Sequence, residues 1–251
     1  MRVNGFIKRA IAVSMVLAFS GLGAYGDDRG NQVARMVDAT ESVVSARMVM
    51  TMAIRQTDAA EPRLFSVVSY ENDAGDTLVE FLDPRSVRGM RILSRGSGSW
   101  VFFPSTGRVR KIGGSSRSGS VSGVGGDFSY DDLGGGAWAD DYDFSLVGED
   151  PRNWILEGVR RSTDASYDAV RLVVDKNMNK YTLASFSLTS EGGWFKELHC
   201  SDFKAFDGKL VASRMIMRNL KTRSSTEVMV SEARFDQTLE DRLFDPARFH
   251  Q

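Results

Sequence analysis

Residues 64–103 read LFSVVSYENDAGDTLVEFLDPRSVRGMRILSRGSGSWVFF. The stretch contains four short runs rich in β-branched and aromatic residues, at positions 64–70, 77–82, 89–93 and 100–103. Such a composition is typical of strands. Residues 71–75 and 96–98 are of the kind that form tight turns. Short strands joined by tight turns predict an antiparallel meander.

The same pattern extends to both sides of this stretch. Upstream, Met48, Met50 and Met52 fall on one face of a predicted strand, because side chains alternate along a strand. Before it, Val33 and Val37 belong to a helical apolar pattern over residues 28–45, which predicts a leading amphipathic helix. Further strands are predicted at 108–112, 144–147, 154–158, 169–174, 181–188, 195–203, 210–218 and 227–235. About thirteen strands are too many for a flat sheet, so the sheet must curl into a barrel or half-barrel.

A segment rich in glycine and serine, residues 113–136, interrupts the meander. Long insertions of this kind in a compact domain are usually functional or disordered. Phe128, Tyr130 and Leu133 give this one apolar surface. We therefore predict a lid, a loop with a short helix that docks on the sheet, and define it as residues 113–136.

The first 26 residues have the three parts of a cleavable signal peptide. Arg2, Lys8 and Arg9 are followed by an apolar run over residues 10–22, and small residues Ala24 and Gly26 precede a cut before Asp27. Thirteen apolar residues span roughly 20 Å as a helix, too little for a hydrocarbon core of ~30 Å. The alternative is an uncleaved N-terminal anchor. We expect an exported, non-lipidated chain with a single mature domain over residues 27–251.

Composition excludes several classes of function. Removal of the three positive charges of the signal segment takes the formal net charge from −1 to −4, which is close to neutral, and no basic patch is expected. Nucleic acid is therefore not an expected partner. A single cysteine, Cys200, excludes an intramolecular disulfide. In a strand, Cys200 and its neighbour His199 point to opposite faces, so they cannot form a nucleophile–base pair.

No catalytic arrangement emerges from the motifs. His199 and His250 lie in no metal-ligand spacing, and no Gly-x-Ser-x-Gly elbow follows a strand. A set of carboxylates in and after the lid is the best remaining candidate for calcium binding or catalysis. It comprises Asp127, Asp131, Asp132, Asp140, Asp141 and Asp143. These residues lack the ligand spacing of a calcium loop. We predict no catalytic residues, no metal site, no cofactor and no enzymatic activity.

A small basic run comprises Arg108, Arg110, Lys111 and Arg117, the first three in one predicted strand. Arg108 and Arg110 project to the same face, where they could meet an acidic or phosphate group. The alternative is a solvated outer face of the sheet.

Methionine is frequent in the predicted strands, at positions 48, 50, 52, 90, 215 and 217. Flexible, polarisable methionine side chains suit irregular apolar partners. Ordinary core packing and a lipid cavity both explain this pattern.

Three motifs resemble the LolA-like outer-membrane lipoprotein-sorting proteins: FLDPRSVRGMRIL at 81–93, WVFFP with RVRKI at 100–112, and DFSYDDL at 127–133. The resemblance covers roughly residues 30 to 250. It implies a mainly β (α+β) fold, a strongly curved, unclosed antiparallel β-barrel or half-barrel with a leading helix and a short helical lid over an apolar cavity. It also implies a periplasmic carrier that holds acyl chains of lipoproteins or other lipids and moves them towards the outer membrane.

The resemblance extends to partners and site residues. Lipoprotein or lipid cargo, an inner-membrane donor complex and an outer-membrane acceptor are the implied partners, with only transient membrane contact. The predicted cavity residues are Met48, Met50, Met52, Phe81, Trp100, Phe102, Met215 and Met217, and the predicted lid residues are Phe128, Tyr130 and Leu133. We expect the lid to dock in the empty cavity and to be released by cargo. The alternative functions are an accessory subunit of an envelope complex and a lipid hydrolase.

Export is tested at the cleavage site. Because Ala24 and Gly26 satisfy the small-residue rule, the mature chain is expected to begin at Asp27. N-terminal sequencing of the periplasmic fraction measures this directly. Full-length chain in the membrane pellet would contradict the prediction.

Overall fold

The computed structural model describes residues 26–58, 60–113, 116–134 and 136–251. The predicted signal segment lies outside the described residues, apart from Gly26. The leading helix, α1, spans Asp28–Glu41. Asp27 caps its first turn by accepting a hydrogen bond from the N–H of Gly30, and its buried residues include Val33 and Val37. The predicted helix is confirmed, although it ends at Glu41 because Ser42 is already extended.

Thirteen strands form one sheet, which confirms the predicted meander. The first six are β1 (Ser45–Arg55), β2 (Arg63–Asn72), β3 (Thr77–Asp83), β4 (Arg91–Arg95), β5 (Gly98–Phe103) and β6 (Arg108–Ile112). The other seven are β7 (Tyr142–Glu149), β8 (Asn153–Arg160), β9 (Ala169–Asp175), β10 (Lys180–Leu188), β11 (Gly193–Phe206), β12 (Lys209–Asn219) and β13 (Ser225–Phe235). A second, short helix, α2, spans Trp138–Asp141, and 3-10 turns occupy Thr189–Glu191 and Asp241–Phe244.

The sheet is antiparallel throughout and unclosed. Its order is β6-β5-β4-β3-β2-β1-β13-β12-β11-β10-β9-β8-β7, so β1 joins the first half to the second by pairing with β13. Strands β6 and β7 are the two edges, and the lid connects them. Several register shifts interrupt the ladders, for example between Val49 and Met50 of β1. Such bulges increase local twist and bend the sheet.

One face of the curved sheet encloses the main core. Val101 of β5 and Phe144 of β7 lie near opposite edges of the sheet, yet both belong to this core. On β1, the even-numbered residues Met50, Met52 and Ile54 face it, as the alternation of side chains predicts. We call this face concave and the opposite face convex.

The C-terminal segment covers part of the convex face. Phe244 and Phe249 form a second apolar cluster with Leu78 of β3 and Leu93 of β4. The guanidinium group of Arg91 fastens the segment by donating to the carbonyl oxygen of Phe249 at 2.8 Å. The end of the chain is therefore part of the fold.

In the described ranges, neither helix has the length and hydropathy that a bilayer-spanning segment needs.

Candidate functional site in the concave face

A cleft of about 600 Å³ opens between the helices and the lid, at one end of the half-barrel. The C-terminal end of α1 forms one wall together with Trp138, Asp140 and Asp141 of α2. The lid, with the turns after β2 and β4, forms the other. Side chains of β10, β11 and β12 form the floor. The cleft is therefore a product of the curved sheet and its two covers.

The floor of the cleft is apolar and aromatic. Phe186, Leu198 and Met217 lie on neighbouring strands and belong to the main core. Trp138 of α2 leans over them, with its ring centroid 6.3 Å from that of Phe186 and 5.7 Å from that of Tyr181. These contacts fix the short helix against the sheet although it has only one turn.

A carboxylate on α1 holds α2 in place. Asp38 accepts hydrogen bonds from the backbone N–H groups of Trp138 and Ala139, each at 2.9 Å. These are otherwise unpaired donors at a helix N-terminus. Burial raises the pKa of Asp38. The two helices thus form one wall.

The lid docks on the concave face, where the sequence predicts it. Phe128 and Tyr130 are buried in the main core, and Leu133 packs against that core. Within the described residues, the lid consists of turns with one isolated bridge between Ser120 and Ser129. The short helix follows the lid at Trp138–Asp141, because glycines with positive φ keep the lid backbone out of helical geometry.

The start of the DFSYDDL motif is fastened to β13. The carboxylate of Asp127 accepts hydrogen bonds from the hydroxyls of Ser224 and Thr226, the latter at 2.9 Å. Gly126 permits this close approach, since a Cβ at that position would lie 2.9 Å from a side-chain carbon of Ile54. A side chain there would have to displace the side chains of Ile54 and Thr226, and the backbone φ of +87° also favours glycine.

The end of the motif carries a buried ion pair. Asp132 lies 2.5 Å from the ammonium group of Lys196 on β11, and their side chains are only 6% and 5% exposed. Tyr167 donates its hydroxyl hydrogen to the same carboxylate at 2.7 Å. The Lys196 ammonium also lies over the rings of Tyr167 and Phe186. We call this arrangement, Lys196 with Asp132 and Tyr167, the lid latch.

Asp131, the neighbour of Asp132, makes a third attachment. It forms an ion pair with Arg117 at 2.6 Å and accepts a hydrogen bond from the hydroxyl of Ser166. The lid carboxylates are therefore engaged in holding the lid, and no group of three metal-ligating side chains occurs in the described ranges.

Carboxylates dominate the rim of the cleft. Nine carboxylate side chains line the cleft, compared with three cationic ones: Arg117, Lys180 and Lys209. Six of these carboxylates form no ion pair with described residues: Asp38, Glu71, Asp73, Asp140, Asp141 and Asp164. Burial raises the pKa of Glu71 and of Asp141, and a neighbouring carboxylate raises each further. The cleft therefore joins an apolar floor to a negatively charged rim.

The predicted cavity methionines all project to the concave face. Met48 and Met217 line the cleft, whereas Met50 and Met215 are partly buried against the core beneath it. Met52 is part of the core itself. Phe81 is also core, fully buried with its ring 6.1 Å from that of Phe65.

Six of the eight predicted cavity residues do not line the cleft, which corrects the prediction: Met50, Met52, Met215 and Phe81 lie in or against the core on the concave face, and Trp100 and Phe102 face the other way. Both pack against the convex cluster under the C-terminal segment, and the ring of Phe102 lies 5.3 Å from that of His250. The concave residue of this strand is their neighbour Val101. The sequence shows the alternation along a strand but not which of its two faces is concave.

Several cleft residues were not predicted from sequence. Three of them lie in predicted strands: Tyr181, Phe186 and Leu198. The alternation of side chains along a strand does not distinguish cleft residues from core residues. Lys196 was missed because a lysine in a strand ordinarily indicates a solvent-exposed position. The neighbouring Phe195 was the signal available in the sequence, whereas the position of Lys196 opposite Phe186 is seen only in the structure.

Cys200 is a core residue and forms no nucleophile–base pair with His199. Cys200 is buried in the core, and burial raises its thiol pKa to about 12. His199 points away from it to Glu197, with 3.2 Å between the ring Nε2 and the carboxylate. The two residues lie on opposite faces, as predicted.

A family model with the description "Uncharacterized protein" matches residues 73–251. The chain belongs to this family. No curated protein matches the sequence significantly.

Three solved structures share the fold. A domain named for outer-membrane lipoprotein sorting, from Vibrio parahaemolyticus, has a TM-score of 0.78 at 24% identity, covering 89% of this chain and 99% of the other. A DUF1329 family protein from Desulfovibrio piger has a TM-score of 0.78 at 24% identity, with coverages of 86% and 96%. A LolA superfamily protein from Nitrosomonas europaea has a TM-score of 0.72 at 20% identity, with coverages of 86% and 97%. The LolA-like resemblance predicted from the motifs is confirmed.

The lid latch is tested by removing its cation. Lys196→Met leaves the Asp132 carboxylate buried without its partner, so the free energy of unfolding is expected to fall by about 3–5 kcal/mol. Chemical denaturation measures the loss, and hydrogen exchange should show faster exchange of lid amides.

Lys221→Met is the matched control, since it removes the same cation from the exposed pair with Glu191. Exposed pairs contribute only about 0–1 kcal/mol. Equal losses in the two variants would mean that the latch does not hold the lid.

Proposed function

We propose that this LolA-like protein is a non-enzymatic periplasmic carrier that binds acyl chains of lipoproteins or other lipids in the cleft and moves them towards the outer membrane. The observation that carries the proposal is the apolar floor formed by Phe186, Leu198 and Met217 beneath an open cleft. The name of the Vibrio domain, outer-membrane lipoprotein sorting, supports the same class of cargo. Periplasmic location rests on the predicted signal peptide and on the LolA-like resemblance.

The energetics favour a shielded cleft over a covalent mechanism. An acyl chain of about fifteen methylenes costs on the order of 12 kcal/mol to expose to water, at ~0.8 kcal/mol per methylene. A cleft of about 600 Å³ falls within the ~300–1,000 Å³ typical of small-molecule sites. Burial of the chain against the floor removes the penalty without any bond being made or broken. Transfer then requires only a donor and an acceptor membrane component.

The attachments of the lid determine how cargo enters. Asp127 and Asp132 tie the lid to β13 and to β11, and Asp131 ties it to Ser166 in the loop between β8 and β9. Lifting the lid would break all three sets of contacts and leave the latch ions unpaired, at high cost. We therefore propose, in place of the expectation that cargo releases the lid, that cargo enters through the open side between α2 and the lid, where Trp138 lines the cleft.

The negative rim selects the polar end of the cargo. A cleft lined by charges of one sign with low-dielectric walls focuses the electrostatic potential. Anionic head groups are disfavoured at such a rim, and cationic or neutral ones are favoured. A lipoprotein with basic residues close to its acylated end has the matching charge.

Binding of cargo in the cleft is tested at Met48 of β1, which lines the cleft. Met48→Asp places a carboxylate in the cleft wall, so the affinity for a fluorescent single-chain amphiphile with a neutral head group is expected to fall at least tenfold. Thr51→Asp is the matched control, because Thr51 is exposed on the convex face of the same strand. Fluorescence titration of both variants, with circular dichroism to verify folding, decides the matter. Absence of probe binding by the wild-type protein would refute the carrier proposal.

The charge of the rim is tested with head groups of fixed charge. Dodecyltrimethylammonium is expected to bind at least fivefold more tightly than dodecyl sulfonate at pH 7.5, below their micelle concentrations. Asp38, Glu71 and Asp141 have raised pKa values, so they gain protons before ordinary carboxylates as the pH falls. The preference should therefore shrink between pH 7.5 and 5. Calorimetry at both pH values measures it, and a preference independent of pH would show that these carboxylates do not set it.

A further inference from the structure

The two edge strands of the sheet, β7 and β6, differ in whether other segments of the chain cover them. At β7, the backbone N–H and carbonyl of Phe144 bond to Asn31 and Asp27, and the N–H of Leu146 bonds to the Asp27 carboxylate at 2.9 Å. The N-terminal turn of α1 therefore covers this edge. A covered edge cannot accept another strand.

The β6 edge has no such cover among the residues that the structure describes. Arg108–Ile112 pairs with β5 on one side. On the other side, no backbone or side-chain group of β6 forms a hydrogen bond with any described residue. An edge of this kind presents a row of free backbone donors and acceptors that an extended peptide can pair with.

The exposed side chains of this edge are cationic. Arg108, Arg110 and Lys111 are all exposed, in a chain whose overall charge is slightly negative. Arg108 and Arg110 share one face and form no ion pair with described residues. Lys111 lies on the other face, with its ammonium group 5.4 Å from the ring centroid of Trp100.

We propose that the β6 edge binds an extended, acidic segment of a partner protein as a fourteenth strand. Residues two apart on a strand lie roughly 7 Å apart, and an added strand presents its own alternate side chains at the same interval. Carboxylates at alternate positions of that segment would meet Arg108 and Arg110, and guanidinium–carboxylate pairs are among the strongest hydrogen-bonded contacts. The site is independent of the cleft, so the inference goes beyond the proposed carrier function.

The arrangement of the charges favours a strand over a membrane surface or a second copy. The arginines project from one face of the sheet and Lys111 from the other, so the three cations do not lie in one plane. Three cations would also contribute only about 3 kcal/mol to the free energy of binding to an anionic bilayer. A second copy of the same edge would bring like charges together, which disfavours self-pairing.

The test uses the mature protein and a fluorescein-labelled octapeptide of alternating Glu and Val. Fluorescence polarisation is expected to rise to saturation with wild-type protein. Arg108→Glu combined with Arg110→Glu should weaken binding at least tenfold. The matched control, Arg218→Glu with Arg223→Glu, changes the charge equally at two exposed arginines away from this edge and should stay within twofold of wild type.

Two further peptides separate strand pairing from simple charge attraction. A version that is N-methylated at alternate residues keeps its carboxylates but cannot complete a ladder, and a version with Lys in place of Glu reverses the charge. Both should fail to bind. Hydrogen exchange should show β6 amides gaining protection with the Glu peptide.

Binding of the N-methylated peptide as tightly as the parent, or no binding of the parent peptide, would overturn the proposal. The proposal would also be overturned if the Arg108→Glu, Arg110→Glu variant lost binding to phosphatidylglycerol vesicles but bound the peptide as tightly as the wild-type protein. Amphiphile binding in the cleft should be unchanged in this variant, so failure here is distinguishable from failure of the carrier proposal.

Discussion

An unclosed, curved sheet must cover its own apolar concave face, and the rest of this structure depends on that constraint. A closed barrel would bury this face by itself. Here the edges β6 and β7 do not pair with each other, so α1, α2 and the lid complete the enclosure. The covers do not fill the whole space, and the cleft is what remains between them. The same constraint explains why an apolar floor coexists with an open mouth.

The lid is held by polar contacts rather than by apolar packing alone. Its buried residues, Phe128 and Tyr130, would also pack in other registers on a methionine-rich surface. The ion pair between Lys196 and Asp132 allows only one position of the lid on the sheet, because in any other position each ion would be buried without a partner. Buried ion pairs contribute little net stability, but they are costly to mispair. We infer that the latch fixes where the lid sits, and hence the shape of the cleft.

Negatively and positively charged side chains gather in separate regions of this protein. Carboxylates gather at the rim of the cleft, whereas Arg108, Arg110 and Lys111 occupy the free edge of the sheet. The two regions therefore suit ligands of opposite charge. A carrier that must release cargo to other components benefits from a recognition surface that cargo does not occupy, and the β6 edge provides one outside the cleft.

The sequence alone determined the strands, the leading helix and the likeness to the LolA-like fold, because local periodicity, turn residues and short motifs carry that information. It did not determine which face of each strand is concave. Met48 and Met217 were predicted in the cleft and lie there, but Trp100 and Phe102 face the C-terminal segment. Side-chain alternation has a period of two, so it leaves two opposite assignments for every strand. Only the pairing of all thirteen strands removes that ambiguity. The latch, which joins residues 64 positions apart, and the clustering of rim carboxylates from separate loops were likewise decided by the tertiary structure, because contacts between distant segments leave no local pattern in a single sequence.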